Sequence, residues 1–262
     1  MIDPAHYGPW AVIAGGSEGV GREFAVALSK VGINLVLLAR NPGPLQETAE
    51  LARANDVDVR TLPVDLLESG ARDRIRSVTD DLEVGLLIFN AGASTYGTDF
   101  VTGDLDKLRD VVALNVTKQM DLTHHFGSAM RDRRRGGIIL IGSLSGYVGA
   151  ETLSVYSAAK AFSRVFAEGL WLELAPFDVH VLELVLGATR TPAMARAGLN
   201  FDLPALRVAE PEDVVREGLE NLENGPVWVA AGHYAQAQAQ CAFPRAAIVR
   251  AASATTKEIM SG

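Results

Sequence analysis

What most constrains this chain is a strand that ends in a glycine turn and restarts as a helix. Trp10 to Ala14 (WAVIA) is a short apolar run of the kind that forms a buried strand. It leads straight into Gly15-Gly16-Ser17-Glu18-Gly19-Val20-Gly21, after which Val20, Phe24, Ala27, Leu28 and Val31 recur at helical spacing. Gly15 allows a tight turn, Gly19 lets the backbone come close to a pyrophosphate, and Gly21 lets the helix pack against the strand. Ser17, Glu18 and Val20 lie on the same turn. The helix N-terminus would face a phosphate with free N–H groups and a partial positive charge. A glycine loop that merely joins two elements is the plainer reading; the strand and helix on either side favour the phosphate-binding one.

The alternation continues to the end of the chain. Apolar runs at Ile33–Ala39, Val57–Val64, Leu86–Phe89, Ile138–Ile141, Val179–Val185 and Val227–Ala230 read as further strands. Helical patterns fall between them at Leu45–Ala54, Ala71–Leu82 and Leu105–Met130, from Ser154 to before Pro176, and from Glu210. Gly136-Gly137 and Gly142 bound the Ile138 run. This order predicts an α/β fold: a Rossmann-type, doubly wound, mostly parallel sheet of about seven strands with helices on both faces. No repeat or linker interrupts it, so residues 1–262 are expected to form a single domain. The segment 188–209 mixes apolar residues with Gly and Pro beyond the carboxyl end of a strand, the place for a substrate lid. The tail 231–262 is alanine-rich and helical, with no chemistry assigned to it.

Composition excludes several classes. A net charge of −8 over 262 residues argues against nucleic acid or an anionic membrane as partner. Cys241 is the single cysteine, so no internal disulfide and no cysteine-based metal cluster is expected. His124 and His125 are adjacent and lack nearby ligands, so no metal is expected. The basic run at Arg131, Arg133, Arg134 and Arg135 reads as a solvated helix end that complements the dipole. No signal peptide is visible, and no apolar run approaches the roughly 18 residues of a membrane span, so the expectation is a cytoplasmic protein.

The chemistry-bearing residues gather at strand ends. Ala39 stands where an acid often holds a ribose 2′-hydroxyl, and Arg40 follows it, suited to a 2′-phosphate. Glu18 pulls the other way if it faces the same phosphate. Asp65 and Leu66 follow the third strand; Asp65 can accept from an adenine amino group or cap the next helix. Asn90-Ala91-Gly92 closes the fourth strand with small residues that let a backbone pass near a ligand. Asn115 sits inside a helix, where asparagine invites a reason. Ser143 follows the fifth strand, and Tyr156 and Lys160 share one face of the next helix. A free tyrosine titrates at about 10. A neighbouring ammonium lowers that value and makes the phenol a usable acid and base, although such a pair is also a common surface motif. Gly187, Thr189 and Thr191 break the pattern after the sixth strand.

Together these residues resemble the classical short-chain dehydrogenase/reductase family over nearly the whole chain. The glycine motif matches Ala14-Gly15-Gly16-Ser17-Glu18-Gly19-Val20-Gly21, and the Asn-Ala-Gly motif matches Asn90-Ala91-Gly92. The family's catalytic set matches Asn115, Ser143, Tyr156 and Lys160, and its Pro-Gly and downstream threonine match Leu186-Gly187 and Thr191. Three positions depart: Ala14 replaces a threonine, Leu186 a proline, and Ala231-Gly232-His233 stands where Asp-Gly-Gly is common. The resemblance implies reversible hydride transfer between a nicotinamide cofactor, NADP ahead of NAD here, and a carbonyl or secondary alcohol. It implies that Tyr156 moves the proton, that Lys160 lowers its pKa and holds the ribose, that Ser143 polarises the substrate oxygen, and that Asn115 holds a relay water. A small-molecule, hydrophobic substrate and a homodimer or homotetramer go with it. A silent nucleotide-binding regulator and an isomerase or dehydratase on the same fold are the competing readings.

Overall fold

The computed structural model describes residues 2–92, 96–204 and 206–259. Position 205 of the lid segment and 260–262 of the tail lie outside the described residues. The elements follow in order: α1 (Pro4–Tyr7), β1 (Trp10–Ala14), α2 (Gly19–Ser29), β2 (Asn34–Ala39), α3 (Pro42–Arg53), β3 (Val59–Pro63), α4 (Ala71–Thr79), β4 (Val84–Phe89), α5 (Leu105–Val112), α6 (Lys118–Arg133), β5 (Gly136–Ser143), α7 (Ser154–Leu174), β6 (Val179–Leu186), α8 (Pro192–Arg196), α9 (Pro211–Glu220), β7 (Val227–Val229), α10 (Tyr234–Cys241) and α11 (Arg245–Ile259). The strands form one sheet in the order β3-β2-β1-β4-β5-β6-β7, and every pairing is parallel. The chain winds outward one way from β1 and the other way from β4. The crevice for a ligand opens at that switch, beyond the strands' carboxyl ends.

Both faces of the sheet are buried, which is why its strands read as continuous apolar runs. Ala11, Ile13, Leu35, Leu37, Ile139, Leu182 and Leu184 pack on one side with Phe24 and Leu28 of α2 and Leu45 of α3. Val12, Val36, Leu38, Leu87, Ile138, Leu140 and Val181 pack on the other with Ile75, Phe126 and Ala167. Neighbouring strand residues alternate between the two clusters, as the pleat requires.

Most strand and helix ends differ from the sequence reading by a residue or a few, but three differences have physical content. The expected single helix Leu105–Met130 is broken: a π-helical turn at Ala113–Thr117 separates α5 from α6. Asn115 lies in that turn, buried, and its Nδ2 donates to the Val111 carbonyl at 2.9 Å. Such turns mark functional sites more often than chance. Second, the glycines thought to bound the fifth strand lie inside β5. A Cβ at Gly137 would sit 2.9 Å from the Tyr7 ring, and one at Gly142 would sit 2.5 Å from the Glu183 carboxylate. Third, the arginine run is not merely solvated. Arg133 donates to Val84 O, Arg134 to Pro176 O and Arg135 to Ala5 O, each at 2.7 Å, so the run clasps backbone carbonyls at the amino end of the sheet.

Candidate active site

The glycine turn is built as its residue types require. Gly15 has φ +82° and Gly19 φ +54°, conformations that favour glycine. A Cβ at Gly21 would lie 2.0 Å from the Gly15 carbonyl oxygen, so α2 starts against the turn only because that side chain is absent. The Gly15 and Gly16 amides donate to Leu38 O at 2.8 and 3.1 Å, and Asn90 Nδ2 donates to Gly15 O at 2.8 Å. These bonds tie the turn to β2 and β4 and hold it without the threonine that Ala14 replaces. Thr48 of α3 adds a bond to Ser17 O.

A cleft of about 570 Å³ runs along the carboxyl ends of the strands. Gly15, Ser17, Glu18, Gly19, Val20, Arg40, Asp65, Leu66, Asn90, Ala91, Gly92, Ser143, Tyr156, Lys160, Gly187, Thr189 and Thr191 all line it. Two expected residues do not. Gly21 is buried behind the turn, and Asn115 reaches the cleft's floor only at Gly92. A Cβ at Gly92 would meet Asn115 Oδ1 at 2.8 Å and Lys160 Nζ at 2.9 Å, so both polar groups converge over that glycine. Asp65 Oδ1 accepts from the Leu67 amide at 3.0 Å, a local turn rather than the helix cap expected, since α4 is capped at Gly70, and Asp65 lines the cleft.

At the other end, β5 delivers Ser143 and α7 delivers Tyr156 and Lys160. The Ser143 hydroxyl hydrogen-bonds the Tyr156 phenol. Lys160, buried at 4 % exposure, donates from Nζ to Ile141 O at 2.8 Å and lies 5.7 Å from the Tyr156 ring centroid. The expected lowering of the tyrosine does not win here. Burial pushes the Tyr156 phenol up, and the Ser143 bond opposes it only in part. The reason is geometric: Nζ is committed to a carbonyl rather than to the hydroxyl. The ammonium is itself pushed down by burial, with Glu183 opposing.

Sequence reading missed the residues that shape the walls. Arg196, at the end of α8, reaches back to the glycine turn: its Nη1 donates to Glu18 Oε2 at 3.0 Å and its Nη2 bonds Glu18 Oε1. Glu18 is therefore paired with a guanidinium fork from the 188–209 segment. Tyr96, Lys107, Leu114 and Met194 also face the cleft. The two ends of the 188–209 segment are pinned by a bridge between Thr189 and Ala209, with Ala209 N donating to Ala188 O and Arg190 N to Ala209 O, both at 2.9 Å. Arg196 stands four residues after Pro192 on a short helix, but nothing local signals a partner so distant in sequence.

Far from the cleft, His6, Asp178 and His180 cluster at the amino end of the sheet, with ligand-capable atoms within 4.8 Å of one another. The imidazoles stack at 4.9 Å, His6 Nε2 accepts from the Gly136 amide, and His180 Nδ1 bonds the Tyr7 hydroxyl at 2.7 Å. His6 Nδ1 and His180 Nε2 each lie 3.8 Å from an Asp178 carboxylate oxygen.

Comparison with known proteins decides the family. The short chain dehydrogenase model matches residues 9–200. The chain belongs to the short-chain dehydrogenase family. It is 31% identical over 217 residues to a 7beta-hydroxysteroid dehydrogenase of Clostridium sardiniense, covering 82% of this chain and 83% of that protein. It is 30% identical over 220 residues to a very-long-chain 3-oxoacyl-CoA reductase of Coccidioides immitis, covering 82% of this chain but 62% of the longer reductase. A short-chain dehydrogenase from Sphingobium yanoikuyae, solved with NADPH, superposes with a TM-score of 0.78 at 28% identity, covering 97% of this chain and 95% of that one. The family places this chain among the NAD(P)-dependent oxidoreductases. Among the described residues, no helix is long and apolar enough to cross a membrane.

Proposed function

We propose that the chain reduces a bulky, apolar ketone, reversibly, with NADPH as the preferred cofactor. The observation that carries this reading is the convergence of Ser143, Tyr156 and Lys160 on the same cleft that the glycine turn opens into. The cofactor fit rests on the turn: a backbone that no Cβ can enter at Gly21, a helix N-terminus at α2, and a small-residue floor at Ala91-Gly92. A bound nicotinamide dinucleotide supplies the hydride. Tyr156 Oη holds the proton and gives it to the substrate oxygen, and Ser143 Oγ orients that oxygen by a second hydrogen bond. Lys160 supplies a positive charge beneath the site, and Asn115 joins it at Gly92 to keep a proton path ordered. With the phenol pushed up by burial, Tyr156 is protonated at neutral pH, the form that serves reduction.

Arg40 at the rim of the cleft is the residue we assign to the 2′-phosphate. Ala39 offers no carboxylate to repel it, and Glu18 is occupied by Arg196. The NADPH seen in the Sphingobium yanoikuyae enzyme agrees with this choice. Apolar surface from Tyr96, Leu114, Leu186 and Met194 fits a hydrophobic substrate, as do the substrates named for the relatives. The whole chain acts as one catalytic unit, with 188–209 as its lid. Met120 on α6 and Val165 and Leu172 on α7 are exposed, Val165 at 59% and Leu172 at 66%, which supports a homodimer or homotetramer. Sedimentation at micromolar concentration tests the association; a monomer rejects it. The function itself is tested by NADPH and NADH consumption over a panel of ketones, aldehydes and quinones. Turnover fastest with NADPH and a bulky ketone is expected. Cofactor binding without turnover on any carbonyl would leave a nucleotide-binding regulator instead.

A further inference from the structure

The cluster of His6, Asp178 and His180 lies at the end of the sheet away from the cleft, and the proposed chemistry does not use it. His6 belongs to α1, while Asp178 and His180 sit at the start of β6. The imidazoles are half-buried and the carboxylate is exposed. The backbone beside them is held on both sides: Arg135 donates to Ala5 O and Arg134 to Pro176 O, each at 2.7 Å, and Arg135 is itself paired with Glu83. Asp178 has φ +56°, a left-handed conformation that aspartate and asparagine adopt more readily than most residues.

The partners of the rings decide where their lone pairs point. Tyr7 is buried at 2% exposure, and burial, with Glu223 adding to it, pushes its phenol up, so the hydroxyl keeps its proton. With that proton given to Glu223 Oε1 at 3.5 Å, the hydroxyl oxygen accepts from His180 Nδ1 at 2.7 Å. His180 Nε2 then carries a lone pair, and it faces Asp178 Oδ1, a second acceptor, at 3.8 Å. Two acceptors turned on each other suit a cation between them. A histidine whose other nitrogen is fixed by a hydrogen bond is also the usual arrangement at a metal site. His6 Nδ1 stands 3.8 Å from Asp178 Oδ2. Its Nε2 accepts from the Gly136 amide at 3.4 Å, a long bond that is given up when Nδ1 becomes a ligand.

We propose that His6 Nδ1, the Asp178 carboxylate and His180 Nε2 bind one divalent transition cation of the zinc class, which clasps α1 to the start of β6. Two imidazoles and a carboxylate suit Zn²⁺, Co²⁺ and Ni²⁺, with water completing the coordination. Tetrahedral bonds of about 2.0–2.2 Å set ligand atoms roughly 3.3–3.6 Å apart. The two 3.8 Å pairs are already near that spacing. The ring nitrogens, within 4.8 Å of each other, must close by up to about 1.5 Å, which a turn of the half-buried His6 ring and of the exposed carboxylate supplies. The sequence expectation of no metal weighed Cys241 and the His124-His125 pair; His6 and His180 are far apart in the chain and meet only in the fold.

The test uses the untagged full chain with Cys241→Ser, so that the exposed thiol offers no ligand. Zn²⁺ and Co²⁺ are titrated separately, by calorimetry and, for cobalt, by visible absorption. One equivalent is expected to bind with a Kd below about 100 μM. Tm is expected to rise by about 5 °C or more at a zinc concentration about 100 times Kd. Asp178→Asn removes the charge but suits the left-handed backbone; it and His180→Ala are expected to weaken binding about tenfold or more, and so is Tyr7→Phe, which deletes only the hydroxyl behind His180. His6→Ala is expected to weaken it by a smaller factor, because this ligand gives up the Gly136 bond. His125→Ala removes another imidazole near a carboxylate, Asp80 at 3.6 Å, and leaves binding unchanged, as does saturating NADPH. No saturable binding below about 1 mM overturns the site. So does a Kd unmoved in His6→Ala, Asp178→Asn or His180→Ala, or a metal lost in His125→Ala or displaced by NADPH.

Discussion

The two walls of the cleft are made in different ways. The glycine-turn wall is held by close backbone approach: Gly21 against the Gly15 carbonyl, two amides on Leu38 O, and Asn90 on Gly15 O. The opposite wall, segment 188–209, is pinned by backbone only at its ends, and between them exposed side chains make its contacts. Arg196 forks onto Glu18, and in the tail Lys257 pairs with Glu151 while the Glu151 amide donates to Ser253 Oγ at 3.1 Å. An exposed ion pair contributes little, about 0–1 kcal/mol, whereas a backbone that must admit a new methyl group has nowhere to send it. One wall is therefore rigid and the other adjustable, a division suited to a cofactor of fixed shape and a substrate of variable shape.

Several substitutions can break or sharpen this contrast, and the largest effect belongs where the walls meet. Tyr156→Phe removes only the hydroxyl proposed to carry the proton. Turnover is expected to fall by about a thousandfold or more while the cofactor Kd stays within a few-fold; activity within tenfold of wild type would sink the mechanism. Next come two glycines, one from each wall. Gly21→Ala forces a Cβ to 2.0 Å from Gly15 O and is expected to cost about 1–3 kcal/mol or more, seen as a Tm several degrees lower and weakened cofactor binding. Gly198→Ala, at φ +80° in the lid with nothing within 4 Å, meets only the left-handed backbone penalty of about 1–2 kcal/mol, and its cofactor Kd is expected to stay unchanged. Equal losses of cofactor affinity in the two variants contradict the division.

Smaller effects test cofactor choice. Arg40→Ala removes up to two charge-assisted bonds worth roughly 1.5–3 kcal/mol each. NADPH affinity should therefore drop at least about tenfold with NADH affinity nearly constant. A NADPH-to-NADH ratio that does not change assigns the 2′-phosphate to another group. Arg196→Ala frees Glu18 at the surface, and a few-fold weakening of NADPH is expected from isothermal titration. A loss as large as that of Arg40→Ala would mean that the lid arginine, not Arg40, carries the phosphate.

The rigid wall was legible in the sequence because its rules are local. A strand, three spaced glycines and a helix start lie within a few residues of one another, and each glycine is required by the backbone beside it. The seven strands themselves were legible for the same reason, because fully buried parallel strands leave continuous apolar runs, whereas their order in the sheet was not. The lid wall was not legible, since Glu18 and Arg196 are 178 residues apart and nothing in either neighbourhood names the other. The π turn at Asn115 was half legible; the odd asparagine was visible, but its bond to Val111 O was not. Glu183 did leave a mark, a lone acid in the apolar run Val179–Val185. The direction of the Tyr156 shift also went against the sequence expectation, because burial and the orientation of Nζ are properties of the folded site.

The most direct test of the central claim is to follow the hydride itself. Wild-type enzyme is given NADPH carrying deuterium at the transferable position of the nicotinamide, with a bulky apolar ketone, and the alcohol product is analysed by mass spectrometry and NMR. The account predicts one deuterium on the carbinol carbon for each NADPH oxidised. NADPH oxidation with no deuterium in the alcohol, or no oxidation with any ketone of the panel, would contradict it.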